Sequence, residues 1–166
     1  MASDTSEKWE FTKWWKRQNK VSVFFDGASK GNPRIVGAWG MIYYPRGMLE
    51  TSFSWGLGQS TNNQAEILAL LKAFHIAKET RHKDLQIFGD SEILIKVLNS
   101  DKQFSNLSLN LIMQRLHFIL LEFASVTSHH ILQELNKADS KANRGCQLPP
   151  GMLSLNEGPS LKHPIP

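Results

Sequence analysis

From Val21 onward the apolar residues fall into three runs, "VSVFFD" (residues 21–26), "VGAWGMIYY" (36–44) and "ETSFSWGL" (50–57), separated by "KGNPRI" and "PRGM". Runs of this length, rich in β-branched and aromatic side chains and bounded by turn formers, predict three strands. Links so short predict an antiparallel meander. The period then changes. In "TNNQAEILALLKAFHIAKET" (61–80), Ile67, Leu70, Leu71 and Phe74 recur at helical spacing, and Thr61 with Gln64 makes a capping box at the start. The run "DLQIFGD" predicts a fourth strand, "SEILIKVLN" a short helix, and residues 107–124 a longer apolar helix. A fifth strand near "SVTSHHIL" leads into a final helix around "NKADSKAN", and the tail after Gly145, with five of the seven prolines, reads as extended or disordered linker. The order βββαβααβα describes an α/β domain: a five-stranded mixed sheet, an antiparallel meander extended by parallel strands through helical crossovers, flanked by helices.

With 166 residues and 41% hydrophobic content, the chain has material for one core. We divide it into a Trp-rich basic extension or linker (1–20), a domain (21–145) and a Pro-rich tail (146–166). The extension interleaves Trp9, Trp14 and Trp15 with Lys8, Lys13, Lys16, Arg17 and Lys20. Such a pattern can stack on bases and neutralise phosphates, but docking of the indoles on their own domain is the favoured reading. A net charge of +4 is compatible with a polyanionic partner without requiring one. The lone Cys146 forms no internal disulfide and points to a reducing compartment. No segment approaches the ~20 apolar residues of a bilayer span, and the amino terminus lacks an apolar signal core. A soluble, intracellular protein without a membrane partner is expected.

Four acids sit at the ends of these elements: Asp26 after the first strand, Glu66 early in the main helix, Asp90 after the fourth strand, and Asp139 in the last helix. If strands one and four are parallel neighbours, Asp26 and Asp90 share the carboxyl edge of the sheet, where open α/β sheets bind ligands. Each acid has a plainer role open to it. Asp26 could start an Asx turn with Gly27, Asp90 could cap the following helix, and Asp139, three residues past Asn136, could serve a capping arrangement. Glu66 is harder to explain that way, because it lies among inward-packing residues, where an unpartnered carboxylate is costly. Clustered carboxylates stay ionised near neutral pH when cations lie between them, and an all-oxygen set selects magnesium or manganese over zinc.

The blocks "DGASKGNP", "STNNQAE", "FGDSE" and "ELNKADSKAN", in this order, resemble the four catalytic blocks of type 1 ribonuclease H, over about residues 21–145. Within that family the chain is most similar to the archaeal-like ribonuclease H domain of plant LTR retrotransposon polyproteins, and "LPPGMLSLNEGP" resembles the segment downstream of that domain in those elements. The resemblance implies a ribonuclease H-like fold and an endoribonuclease that cuts the RNA strand of RNA/DNA hybrids with two Mg2+ ions, Mn2+ being the alternative. It implies Asp26, Glu66, Asp90 and Asp139 as catalytic metal ligands, Asp26 and Asp90 bridging the ions. It further implies contacts to the hybrid from Asn32, Asn62 and Gln64, from the neighbouring Thr61 and Asn63, and from the backbone around Gly27, Ala28 and Ser29. A reverse transcriptase domain in the same polyprotein is the implied partner.

The chain departs from the family in three places. Arg34 replaces the usual glycine after the proline. Only "NSDKQFSN" fills the place of the basic protrusion of bacterial members, which implies weaker hybrid affinity. His129 and His130 precede Asp139 without the usual glycines, so both are assigned to the fifth strand, and His75 to packing. Two rival readings stand beside this one: a catalytically inactive connector or nucleic-acid-binding module of a retroelement polyprotein, and a DNA-cutting integrase or resolvase of the wider superfamily. Four retained acids argue against the first, and the ribose-directed "TNNQAE" block against the second.

Overall fold

A computed structural model of the chain describes residues 20–30, 35–44, 49–80, 83–100, 104–131, 133, 136 and 151–159. The elements are β1 (Val21–Lys30), β2 (Ile35–Tyr43), β3 (Leu49–Gln59), α1 (Asn62–Ala77), β4 (Asp84–Gly89), α2 (Glu92–Leu98), α3 (Leu107–Leu120), β5 (Ser125–His130) and β6 (Leu153–Pro159). They build a six-stranded mixed sheet in the order β5-β4-β1-β2-β3-β6. The meander β1–β2–β3 is antiparallel, and β1–β4 and β4–β5 are parallel, as the short links and the helical crossovers require.

The sheet has two apolar faces because successive side chains alternate across it. Val21, Val23 and Phe25 of β1 face the larger cluster, which takes in Leu70, Phe74, Met113 and Leu116 of α1 and α3. Phe24 faces the other way, with Trp39, Met41, Tyr43, Phe88 and Ile131. On that second face the Phe24 and Phe88 rings stack at 4.9 Å, and His129 stacks on Phe88 at 5.3 Å. Both His129 and His130 belong to β5, as their sequence context suggests.

Two sequence expectations are corrected. The count of five strands becomes six, because residues 153–159 of the expected linker pair antiparallel with β3, from Leu49↔Pro159 to Trp55↔Leu153. Gly151, at φ +83°, makes the entry, donating to the Gly56 carbonyl at 2.6 Å. Proline content hid this strand; Pro159 stands at its last position, on a sheet edge where a missing N–H is tolerated. The second correction concerns Asp26, which lies inside β1 and not after it: the strand continues to Lys30, paired with β2 through Gly27↔Ala38 and Lys30↔Ile35. Asn32 and Asp139, the final helix expected over residues 136–143 except Asn136 itself, and residues 1–19 lie outside the described residues. No helix among the described residues is long and apolar enough to cross a membrane.

Candidate active site

The parallel ladder between β1 and β4 ends at Phe24↔Phe88. Two residues further on, Asp26 is still in β1 and Asp90 directly follows the end of β4, so both acids stand just past the last rung. Glu66 reaches the same point from the second turn of α1. Helix and strand approach closely there because residue 27 is glycine: a Cβ on Gly27 would stand 2.7 Å from the Ala65 Cβ and 3.1 Å from the Glu66 nitrogen. Ligand oxygens of Asp26, Glu66 and Asp90 all lie within 4.8 Å of one another.

Each acid is held. Asp26, 5% exposed, accepts the N–H of the adjacent Gly27 at 2.9 Å through Oδ1, and since the strand continues to Lys30 this is a contact within β1 and not the Asx turn expected of it. Asp90 is not the cap of α2. That role belongs to Ser91, whose hydroxyl accepts the Leu94 N–H at 3.3 Å and also hydrogen-bonds Glu66. The Asp90 Oδ2 instead accepts from the side-chain amide of Asn136 at 3.0 Å. Burial, and secondarily the charge of Asp90, push Glu66 up from 4.5 to about 7, the Ser91 hydrogen bond opposing them. The donor set is all carboxylate, crowded and electrostatically strained without a counter-charge, which suits a hard divalent cation.

The polar residues assigned to nucleic-acid contact divide by position. Thr61 is the N-cap of α1, its hydroxyl accepting the Gln64 N–H at 3.2 Å. The other arm of the expected capping box differs: Gln64 Oε1 accepts the Ser60 hydroxyl at 2.5 Å. Asn62 and Asn63 are exposed in the first turn. Gly27 and Ala28 lie in β1 opposite Ala38 and Gly37, and Ser29 opposite Val36. Sequence reasoning missed Asn136 and Ser91 as supports of the acids, and gave Gly27 only a backbone role towards nucleic acid. The usable signal was adjacency: Ser91 follows Asp90, and Asn136 lies in the block that contains Asp139.

The family described as reverse transcriptase-like matches residues 24–145. Ribonuclease HI of Halobacterium salinarum is 30% identical over 128 residues, covering 76% of this chain and 64% of that protein. Its relative in Francisella tularensis subsp. novicida, a ribonuclease H, is 35% identical over 85 residues and 53% covered, so the chain spans less than two thirds of these curated relatives. The crystal structure of the halobacterial ribonuclease H1 superposes with a TM-score of 0.70 at 29% identity, over 77% of this chain and 98% of that one. At the level of fold alone, a compost ribonuclease H1 solved with an RNA/DNA hybrid gives a TM-score of 0.66 at 22% identity, over 77% of this chain and 97% of that one. A foamy viral protease-reverse transcriptase, also solved with a hybrid, gives 0.62 at 18% identity, with 77% of this chain on 20% of that one. The match from residue 24 to residue 145 takes in β1, α1 and β4, the three elements that bring the acids together, and the chain belongs to the reverse transcriptase-like family, with the ribonuclease H fold.

Proposed function

We propose that the chain is an endoribonuclease that hydrolyses the RNA strand of RNA/DNA hybrids with divalent cations, Mg2+ or Mn2+. The observation that carries this reading is the convergence of Asp26, Glu66 and Asp90 within 4.8 Å at the end of the β1–β4 pair. An inactive connector would gain nothing from like charges held so close, and they cost stability.

Asp26, Glu66 and Asp90 would hold the cations, with Asp139 as the fourth ligand. When bound, two such ions activate the attacking water and stabilise the leaving oxygen in an in-line displacement. Water adds to phosphorus, the P–O3′ bond breaks, and the ends left are a 5′-phosphate and a 3′-hydroxyl. The protein's part is to fix the acids rigidly at one point and to orient the hybrid. Asn62 and Asn63 stand four and three residues before Glu66, one helical turn away on the same side of α1. Amides there can meet ribose 2′-hydroxyls while Glu66 faces the scissile phosphate, which is the physical means of telling RNA from DNA.

The finer assignment, a ribonuclease H domain of a plant LTR retrotransposon polyprotein beside a reverse transcriptase, rests on the sequence likeness of the four blocks and the tail. The foamy viral fold neighbour, in which the likeness covers a fifth of a protease-reverse transcriptase, supports such a setting. The test is to incubate labelled RNA/DNA hybrid, double-stranded DNA and double-stranded RNA with the protein, with Mg2+ and with a chelator. Cleavage of the hybrid alone, and only with Mg2+, is expected. Binding without cleavage, or cleavage of double-stranded DNA, would reject the reading.

A further inference from the structure

We propose that Asn136 is a positioning residue of the acidic cluster, tying the Asp90 carboxylate to the β1 backbone so that the cation site is preset before any ion arrives. The proposal rests on the nuclease reading for its role in turnover, but its geometry stands independently. Asn136 is 6% exposed, and its side-chain nitrogen donates to two acceptors on different strands' ends: the Phe25 carbonyl at 2.9 Å and Asp90 Oδ2 at 3.0 Å. Phe25 directly precedes Asp26, and the last β1–β4 rung is Phe24↔Phe88. The Asn136 amide therefore bridges β1 and the residue that follows β4 just where their ladder stops, and it links the residue before one acid to the side chain of another.

The chemistry of the amide suits this task. A lysine or arginine at this place would hold Asp90 equally well but would cancel the negative charge that attracts a divalent cation. A neutral amide fixes the carboxylate plane and leaves the charge in place. It also has two protons for two acceptors, so neither the Phe25 carbonyl nor Asp90 Oδ2 depends on water at a buried point. Outer partners of this kind act on cation affinity, typically by 10–100-fold, by orienting the ligands they touch.

The experiment uses the full chain with Asn136→Ala. Mn2+ binding is read by calorimetry, hybrid cleavage by single-turnover kinetics across a Mg2+ titration, and Tm with and without Mg2+. We expect the Mg2+ midpoint and the Mn2+ Kd to rise at least 10-fold, with the cleavage rate at saturating Mg2+ returning to within a few-fold of the native rate. An unchanged midpoint and Kd overturn the proposal even if Tm falls, because a purely structural residue lowers Tm alike with and without the ion. If Asn136→Ala does not fold, Asn136→Ser, which keeps one donor, is measured in its place: a midpoint shifted ~10-fold supports the proposal and a native midpoint overturns it. Should the native protein cleave no hybrid, the nuclease reading fails, while the Mn2+ titration still decides the role of Asn136.

Discussion

The two ends of the β1–β4 pair carry polar residues on the same strand faces, and the ends differ in how those residues are satisfied. At the start, Ser22 and Gln86 are opposite one another and buried, and Gln86 donates to the Ser22 hydroxyl at 2.9 Å. One pleat on, Phe24 and Phe88 stack. One pleat further stand Asp26 and Asp90, with Glu66 arriving from α1. The separation of 64 residues is the same for Ser22–Gln86 and Asp26–Asp90, so a single register delivers both pairs. The neutral pair closes a hydrogen bond between its own two members and carries no charge. The acidic pair gains partners in Gly27 and Asn136 but gains a third carboxylate too, and no arrangement of those neutral donors removes the repulsion. Polar burial at one end is architecture, and at the other it leaves a repulsion that a proton on Glu66 or a bound cation would relieve.

The sharpest break of the comparison is to remove one charge. Asp26→Asn and Asp90→Asn keep shape but withdraw a ligand, and the loss of several kcal/mol of electrostatic stabilisation should lower single-turnover hybrid cleavage by at least ~10³-fold. Thermal unfolding without Mg2+ should be unaffected or occur at higher temperature, because repulsion has been relieved. Measurable turnover in either purified variant at native levels would remove the acids from the chemistry.

A smaller effect separates the ends by pH. Glu66 is protonated in the fold up to about 7, against 4.5 for the free side chain. Below pH 4.5 both states hold the proton and the shift has no effect on stability. Between 4.5 and about 7 the unfolded chain has released it while the folded chain keeps it, so metal-free stability falls with rising pH. Above about 7 the loss is complete, on the order of 3 kcal/mol. Denaturant unfolding in chelator at pH 4.5 to 8, native against Glu66→Gln, should show this slope in the native protein only, and saturating Mg2+ should abolish it. Parallel slopes in the two proteins would mean that burial does not raise Glu66.

Much of this was legible before any coordinates. The short links predicted the meander, and the β1–β4 adjacency, carried in the sequence only as a condition, is what brings Asp26 and Asp90 together. A carboxylate among inward-packing residues marked Glu66. What escaped depended on partners distant in sequence. Gly27 reads as a turn former until Ala65 is seen against it, and Asn136 reads as a capping residue until the Phe25 carbonyl and Asp90 appear beside its amide. Local turn propensity at "DGASKGNP" also lost to the nine-rung pairing of β1 with β2, which carries the strand past Asp26 to Lys30. Strand β6 escaped because proline content outweighed the short alternation of Leu153 and Leu155, a segment whose outer residue, Leu155, is 49% exposed.

The neutral end is tested by breaking it twice. Gln86→Ala removes the donor, opens a cavity beside Phe88 and strands the Ser22 hydroxyl in a site with no exposure, so a loss of about 1–3 kcal/mol in denaturant unfolding is expected, with the Mg2+ midpoint of cleavage unchanged. The double variant Ser22→Ala with Gln86→Leu should recover most of that loss, to within about 1 kcal/mol of native, because replacing both partners of a buried hydrogen bond by apolar groups of similar shape leaves nothing unsatisfied. The same operation at the acidic end should not mirror this: apolar replacement of Asp26 and Asp90 relieves the repulsion but strands the Gly27 N–H and the Asn136 amide, and it withdraws two of the carboxylates that would hold a cation. Loss of cation binding at one end, and an unchanged Mg2+ midpoint at the other, are what a site built for an ion requires. If the Ser22–Gln86 double variant also lost Mg2+ dependence, the register shared by the two ends would couple them, and the division drawn between architecture and chemistry would fail.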